Sequence, residues 1–198
     1  MKLTLPLIAL VLTLGACAGS KYDEARKYDR LRDYDAPDQG VAVISVGHAK
    51  SSIYTVSSAS FRLTSTNDPG SFGYAPKLWT PSPKDFDSPD VEGTVLAVKL
   101  PPGHYEVIAA GGGWGAGSYR FSTRVEMRPP MSFTIETGRT AYLGRFLVGQ
   151  DGSGPSSRAT LDVTDEEAAD LSVARSRNAI VNTQNARSFV PPPGARKF

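Results

Sequence analysis

Between residues 40 and 163 the apolar patterning comes only in short runs, each stopped by glycine, proline or a polar turn, and this punctuation limits the fold more than any other feature. A helix able to bury a stripe needs about ten or more residues of 3.6 periodicity, whereas a strand needs roughly four to eight. Gly40 to Val46 is β-branched with no alternation, the pattern of a core strand. Ile53 to Val56 is a weaker run, and Ala59 to Thr66 sets Phe61 and Leu63 against Arg62 and Thr64, as a strand with one wet face does. Thr94 to Leu100 and His104 to Ala110 flank Pro101-Pro102-Gly103, and the Pro-Gly turn predicts a hairpin. Ser118 to Met127 alternates Tyr119, Phe121, Thr123, Val125 and Met127 with polar residues that include Arg120 and Arg124, whose expected partners are acids across the strand. Met131 to Glu136 and Thr140 to Val148 predict a second hairpin around Thr137-Gly138-Arg139, and Ala159 to Val163 a last strand. The expected fold is all-β, an antiparallel β-sandwich of about seven or eight strands.

The connections are read from the same punctuation. Asn67-Asp68-Pro69-Gly70 turns the chain, and the proline-rich stretch from Ser71 to Asp90 predicts a long irregular loop. Gly111 to Gly117 predicts a mobile loop; it lacks the spacing of a phosphate cradle. Gly149 to Ser157 is a polar loop. Thr164 as N-cap with Glu167 in the capping-box position opens one short C-terminal helix, with Ala168, Leu171, Val173 and Ala174 towards the domain, fading by Arg177. The domain therefore spans 40–177, and 178–198, basic without an acidic residue, reads as a disordered tail.

The 22 Lys and Arg against 20 Asp and Glu leave a nearly balanced charge, which argues against a nucleic-acid partner. One cysteine allows no internal disulfide and no thiolate metal site, so packing alone must hold the fold. That cysteine, Cys17, follows Lys2, an apolar run from Leu3 to Leu14, and the small residues Gly15 and Ala16. The run of about a dozen residues is shorter than the roughly 20 that span a bilayer. Leu14-Gly15-Ala16-Cys17 resembles the lipobox of bacterial lipoproteins. The resemblance implies cleavage after a signal peptide of residues 1–16, a diacylglyceryl thioether on Cys17, and, with Ala18 rather than Asp next, retention at the periplasmic face of the outer membrane. Residues 17–39 then read as a charged tether; Tyr22, Tyr28 and Tyr34 recur every six residues, about 240° apart on a helix, and form no stripe.

Leu100-Pro101-Pro102-Gly103-His104-Tyr105 resembles a motif of transthyretin-like and carboxypeptidase-regulatory-like β-sandwiches, and the chain is similar to domains of unknown function in small bacterial lipoproteins. The resemblance implies a turn and a buried tyrosine, with no catalytic residue to carry over. His48 and His104 lie in no metal-ligand spacing, Asp85, Asp87 and Asp90 lack an EF-hand order, and no Gly-x-Ser-x-Gly elbow is present. No catalytic residue, metal or cofactor is expected. Aromatic residues on loops can stack on sugars or anchor a partner, which makes Tyr74, Trp79 and Trp114 the candidate ligand contacts. The expected function is non-enzymatic binding or scaffolding of an envelope protein or glycan. The alternative is a small envelope hydrolase acting on glycan or peptide, using His104 with loop Ser or Asp residues.

Overall fold

The computed structural model describes residues 36–50, 55–65, 71–74, 84–116, 119–151, 158–195 and 198. The residues read as a signal peptide and, up to residue 35, as a tether, together with Cys17 and Trp79, lie outside them. The described elements are β1 (Gly40–Ala49), β2 (Thr55–Ser65), β3 (Ser71–Tyr74), β4 (Phe86–Asp87), β5 (Val91–Leu100), β6 (Gly103–Ala116), β7 (Tyr119–Ile135), β8 (Thr140–Asp151), β9 (Arg158–Thr164), helix α1 (Glu167–Arg177) and β10 (Arg187–Ser188). The protein is all-β with a single helix among the described residues. One sheet runs β10-β8-β1-β5-β4, with β9 also on β8; the other runs β3-β2-β6-β7.

Every residue of β1 from Gly40 to His48 is buried, because both of its faces are covered. Ala42, Ile44 and Val46 face the second sheet and join Phe61, Leu63, Tyr105, Val107, Phe133 and Ile135 in the main core. Val41 and Val43 face the other way and meet Leu171 and Ala174 of α1. The unbroken β-branched run is thus the signature of a central strand buried on two sides.

The sheets are not cleanly antiparallel, contrary to expectation. β1 is antiparallel to β5 but parallel to β8, and β10 is also parallel to β8. Both expected hairpins are instead corners that pass between sheets. β5 pairs with β1 and β4, whereas β6 pairs with β2 and β7. A tight hairpin needs positive φ in its turn; proline cannot supply it and Gly103 does not adopt it. The corner is fastened by the buried Tyr105 hydroxyl, which donates to the Pro101 carbonyl at 2.7 Å. At the second corner Gly138, φ 69°, donates its N–H to the Gln39 carbonyl at 2.9 Å, and Val41 N–H donates to Arg139 O at 3.0 Å, so the turn binds the start of β1.

Other expectations change for reasons of pairing. Gly111 to Gly113 are buried inside β6, laddered on both sides by β2 and β7, and β3 and β4 are strands within the stretch read as a loop. β7 is continuous across Pro129 and Pro130, because residues 127–130 are accommodated opposite Ile108 where the β6–β7 register shifts. Thr164 ends β9 and does not cap the helix: α1 begins at Glu167 with Glu166 as N-cap and no side-chain cap bond. Residues 178–195, read as part of a disordered tail, lie on the first sheet. Val181 is fully buried, Asn182 N–H donates to Thr140 Oγ1 at 3.0 Å, and Phe189 N–H donates to Tyr142 O at 2.8 Å. Phe198 exchanges two backbone hydrogen bonds with Leu161 of β9. Backbone pairing and the apolar anchors Val181, Phe189 and Val190 outweigh a composition that reads as disordered.

Candidate functional site: a buried ionic cluster under the helix

The densest polar constellation among the described residues lies between the first sheet and α1. It starts from a glycine. Gly144 in β8 takes φ 98°, where the β1–β8 register shifts between Val43 and Ser45, so β8 gains a residue against its neighbour. The shift resets the alternation: Leu143 and Phe146 enter the main core, while Tyr142 and Arg145 both turn to the helix. A Cβ at Gly144 would lie 2.9 Å from the Val163 side chain.

On that face Asp170 of α1, 1% exposed, receives three donors. Ser45 Oγ donates at 2.7 Å, Tyr142 Oη at 3.1 Å and Arg145 Nη2 at 2.5 Å. Tyr142 in turn accepts the Glu166 N–H at 3.0 Å, satisfying a helix N-terminal donor in place of a side-chain cap. Burial, and then the Asp170 charge, push the Tyr142 hydroxyl well above its ordinary pKa, so it stays a protonated donor. The Arg145 guanidinium also stacks 3.9 Å from the Phe86 ring centre, while its Nε is buried without a hydrogen-bond partner. Phe86 rests on Gly47 and Gly93, paired across β1 and β5; a Cβ at Gly93 would fall 2.3 Å from the ring.

The C-terminal end of α1 is held too. Arg177 makes a two-pronged ion pair with Asp85, whose side chain is 1% exposed. Asp85 Oδ2 also accepts the Val95 N–H at 2.7 Å, so the carboxylate continues the edge of β5 beyond β4. Chemically the cluster holds charge and does not release it. Ser45 is fully buried with its hydroxyl turned to the Asp170 carboxylate, out of reach of a substrate.

A second charged group sits at the far end of β1. His48, 5% exposed, places Nε2 3.3 Å from Glu92 Oε1 and Nδ1 3.3 Å from the Ala49 carbonyl. Lys84 bonds to Glu92, and Lys50 to Asp87, clipping β4 to this end. Burial lowers the His48 pKa, partly offset by the Ala49 carbonyl and the Glu92 charge.

The residues singled out from sequence are dispersed. His104 is exposed at the start of β6, its Nδ1 3.1 Å from Thr134 Oγ1. Asp85 is an interior ion-pair partner, while Asp87 and Asp90 are exposed. Arg124 pairs with Glu126 of its own strand, not across the ladder. Tyr74 lies opposite Phe61 and Trp114 opposite Val56, on opposite flanks of β2 and about 15–17 Å apart along it, so their backbones are not brought together. Ala168, expected to face the domain, is exposed; the buried helix positions are Asp170, Leu171 and Ala174. Ser45, Tyr142, Arg145 and Asp170 were missed. Their signals were a serine inside an apolar strand, a glycine inside β8, and an acid one residue before the buried leucine of the helix.

No family model matches this chain, and no curated protein does. A leucine-rich repeat protein from Bacteroides thetaiotaomicron is a structural match over 55% of this chain and 13% of its own length, at 16% identity and a TM-score of 0.36. That likeness is too slight to carry an argument about fold or activity.

Proposed function

We propose that this chain is a lipid-anchored, non-enzymatic protein of the bacterial envelope, held at the periplasmic face of the outer membrane, whose domain binds or scaffolds an envelope protein or glycan. The observation that carries the reading is the unique cysteine, Cys17, set in Leu14-Gly15-Ala16-Cys17 directly behind a short apolar run. An acylated cysteine adds about 0.8 kcal/mol of membrane affinity per buried CH₂, so two or three chains hold a protein firmly. In this reading Cys17 carries the diacylglyceryl group, residues 17–39 are the tether, and no metal, cofactor or nucleic acid takes part.

The domain is proposed to be a transthyretin-like sandwich with an added parallel strand pair. The buried Tyr105 at this turn supports this, since a turn and a buried tyrosine are what the Leu100 to Tyr105 motif implies. The contacts with the ligand are assigned to Tyr74, Trp79 and Trp114. The test is a pull-down from crosslinked envelopes, comparing wild type with a folded, equally abundant Trp79→Ala/Trp114→Ala variant. A protein or glycan recovered with the wild type and lost from the variant is the expected result. Identical recovery from both would remove the aromatic residues from the binding face.

A further inference from the structure

We propose that the first half of β7 is a self-association edge, pairing antiparallel with the same segment of a second copy so that two four-stranded sheets join into one. Among the described residues β7 is the last strand of its sheet and pairs only with β6. It runs for 17 residues, about three times the usual strand, and an unpaired edge of that length is a template for another strand. The accommodated residues 127–130, with the non-donating Pro129 and Pro130, close off its second half. Among the described residues, 119–126 are left as an unbroken edge.

The sequence of that edge is complementary to itself. A two-fold axis perpendicular to the sheet keeps each residue on its own face, so opposed positions must have the same parity. Placing the axis at Thr123 sets Arg120 opposite the partner's Glu126, Ser122 opposite the partner's Arg124, and Phe121 opposite the partner's Val125. The symmetry makes the Arg120–Glu126 pair occur twice. Shifting the axis to Val125 would oppose Arg120 and Phe121 to the partner's Pro130 and Pro129, and shifting it to Phe121 would leave Glu126 beyond the pairing. Arg124 and Glu126 pair with each other in the single chain but stay 55% and 40% exposed, so both remain within reach of a second strand. A second copy is therefore the occupant that the charge pattern fits, and this holds whether or not the chain is lipid-anchored.

The test is sedimentation of the full chain in detergent across a concentration series. Wild type is expected to dimerise; Glu126→Arg, which opposes arginines twice, is expected to weaken association roughly tenfold or more. The Arg120→Glu/Glu126→Arg double variant, which restores both pairs in reversed sense, is expected to recover it. Circular dichroism confirms that each variant is folded. A wild type that stays monomeric, a dimer indifferent to Glu126→Arg, or a double variant that fails to recover would each overturn the proposal.

Discussion

Asp170 has no counterpart in a surface helix: a carboxylate 1% exposed, answered by one guanidinium and two hydroxyls. Such clusters are weak sources of stability when complete, but breaking one strands a buried charge. Asp170→Ala is expected to cost about 3–5 kcal/mol, because Arg145 is left uncompensated beside an already unpaired Nε. Ser45→Ala removes one donor among three and is expected to cost about 1–2 kcal/mol. Urea unfolding of the two variants measures the difference, and equal losses would contradict the assignment of Asp170 as the centre. His48 acts differently. Its folded pKa lies below the ordinary 6.5, so below that value the unfolded chain binds more protons. Its contribution is present above about pH 6.5 and is lost as pH falls through the lowered folded pKa. Unfolding at about pH 7.5 and about pH 5 should show wild type losing more stability than His48→Gln; parallel losses would remove His48 from the acid response.

At the scale of elements, the longer strand runs were legible, but β3, β4, β10, the glycine run of β6 and the strand partners were not. Where burial is described, the alternation in β2 and β7 and the unbroken run in β1 report it correctly, because periodicity reads which faces are covered. Pairing depends on where a turn sends the chain, and that is decided by single bonds such as Tyr105 to Pro101. Tyr105→Phe is expected to cost about 1–3 kcal/mol, because the corner carbonyl would be left buried without its donor; a Tyr105→Phe chain with unchanged unfolding would show that the corner holds itself. The helix was legible in extent, and Leu171 and Ala174 face the sheet as expected, but Ala168 is exposed and Asp170 occupies a position where an apolar residue would ordinarily sit. The Phe86 seat was likewise invisible, being made of two glycines on different strands. Gly93→Ala places a Cβ 2.3 Å from both Phe86 and the Val46 carbonyl. Displacing the ring would also unseat Arg145, so a loss of about 1–3 kcal/mol is expected in thermal or urea unfolding.

For the whole molecule, the two sheets, the helix and residues 178–195 form a layered body in which the C-terminal segment is part of the packing and not an appendage. Composition hid this, because a segment with three consecutive prolines and no acid looks unable to order itself, whereas Val181, Phe189 and Val190 are bound to surfaces that other elements supply. The candidate contacts were legible only as types: aromatic residues in a turn-rich chain, with no spacing to bring them together. The proposal for the molecule rests on Cys17, and it is tested most directly by the mass of the N-terminal peptide of protein purified from membranes. The account predicts a mature chain that begins at Cys17 and carries diacylglycerol on its sulfur, with Cys17→Ser accumulating unmodified. A mature chain beginning at Ala18 or later, or an unmodified Cys17, would contradict it.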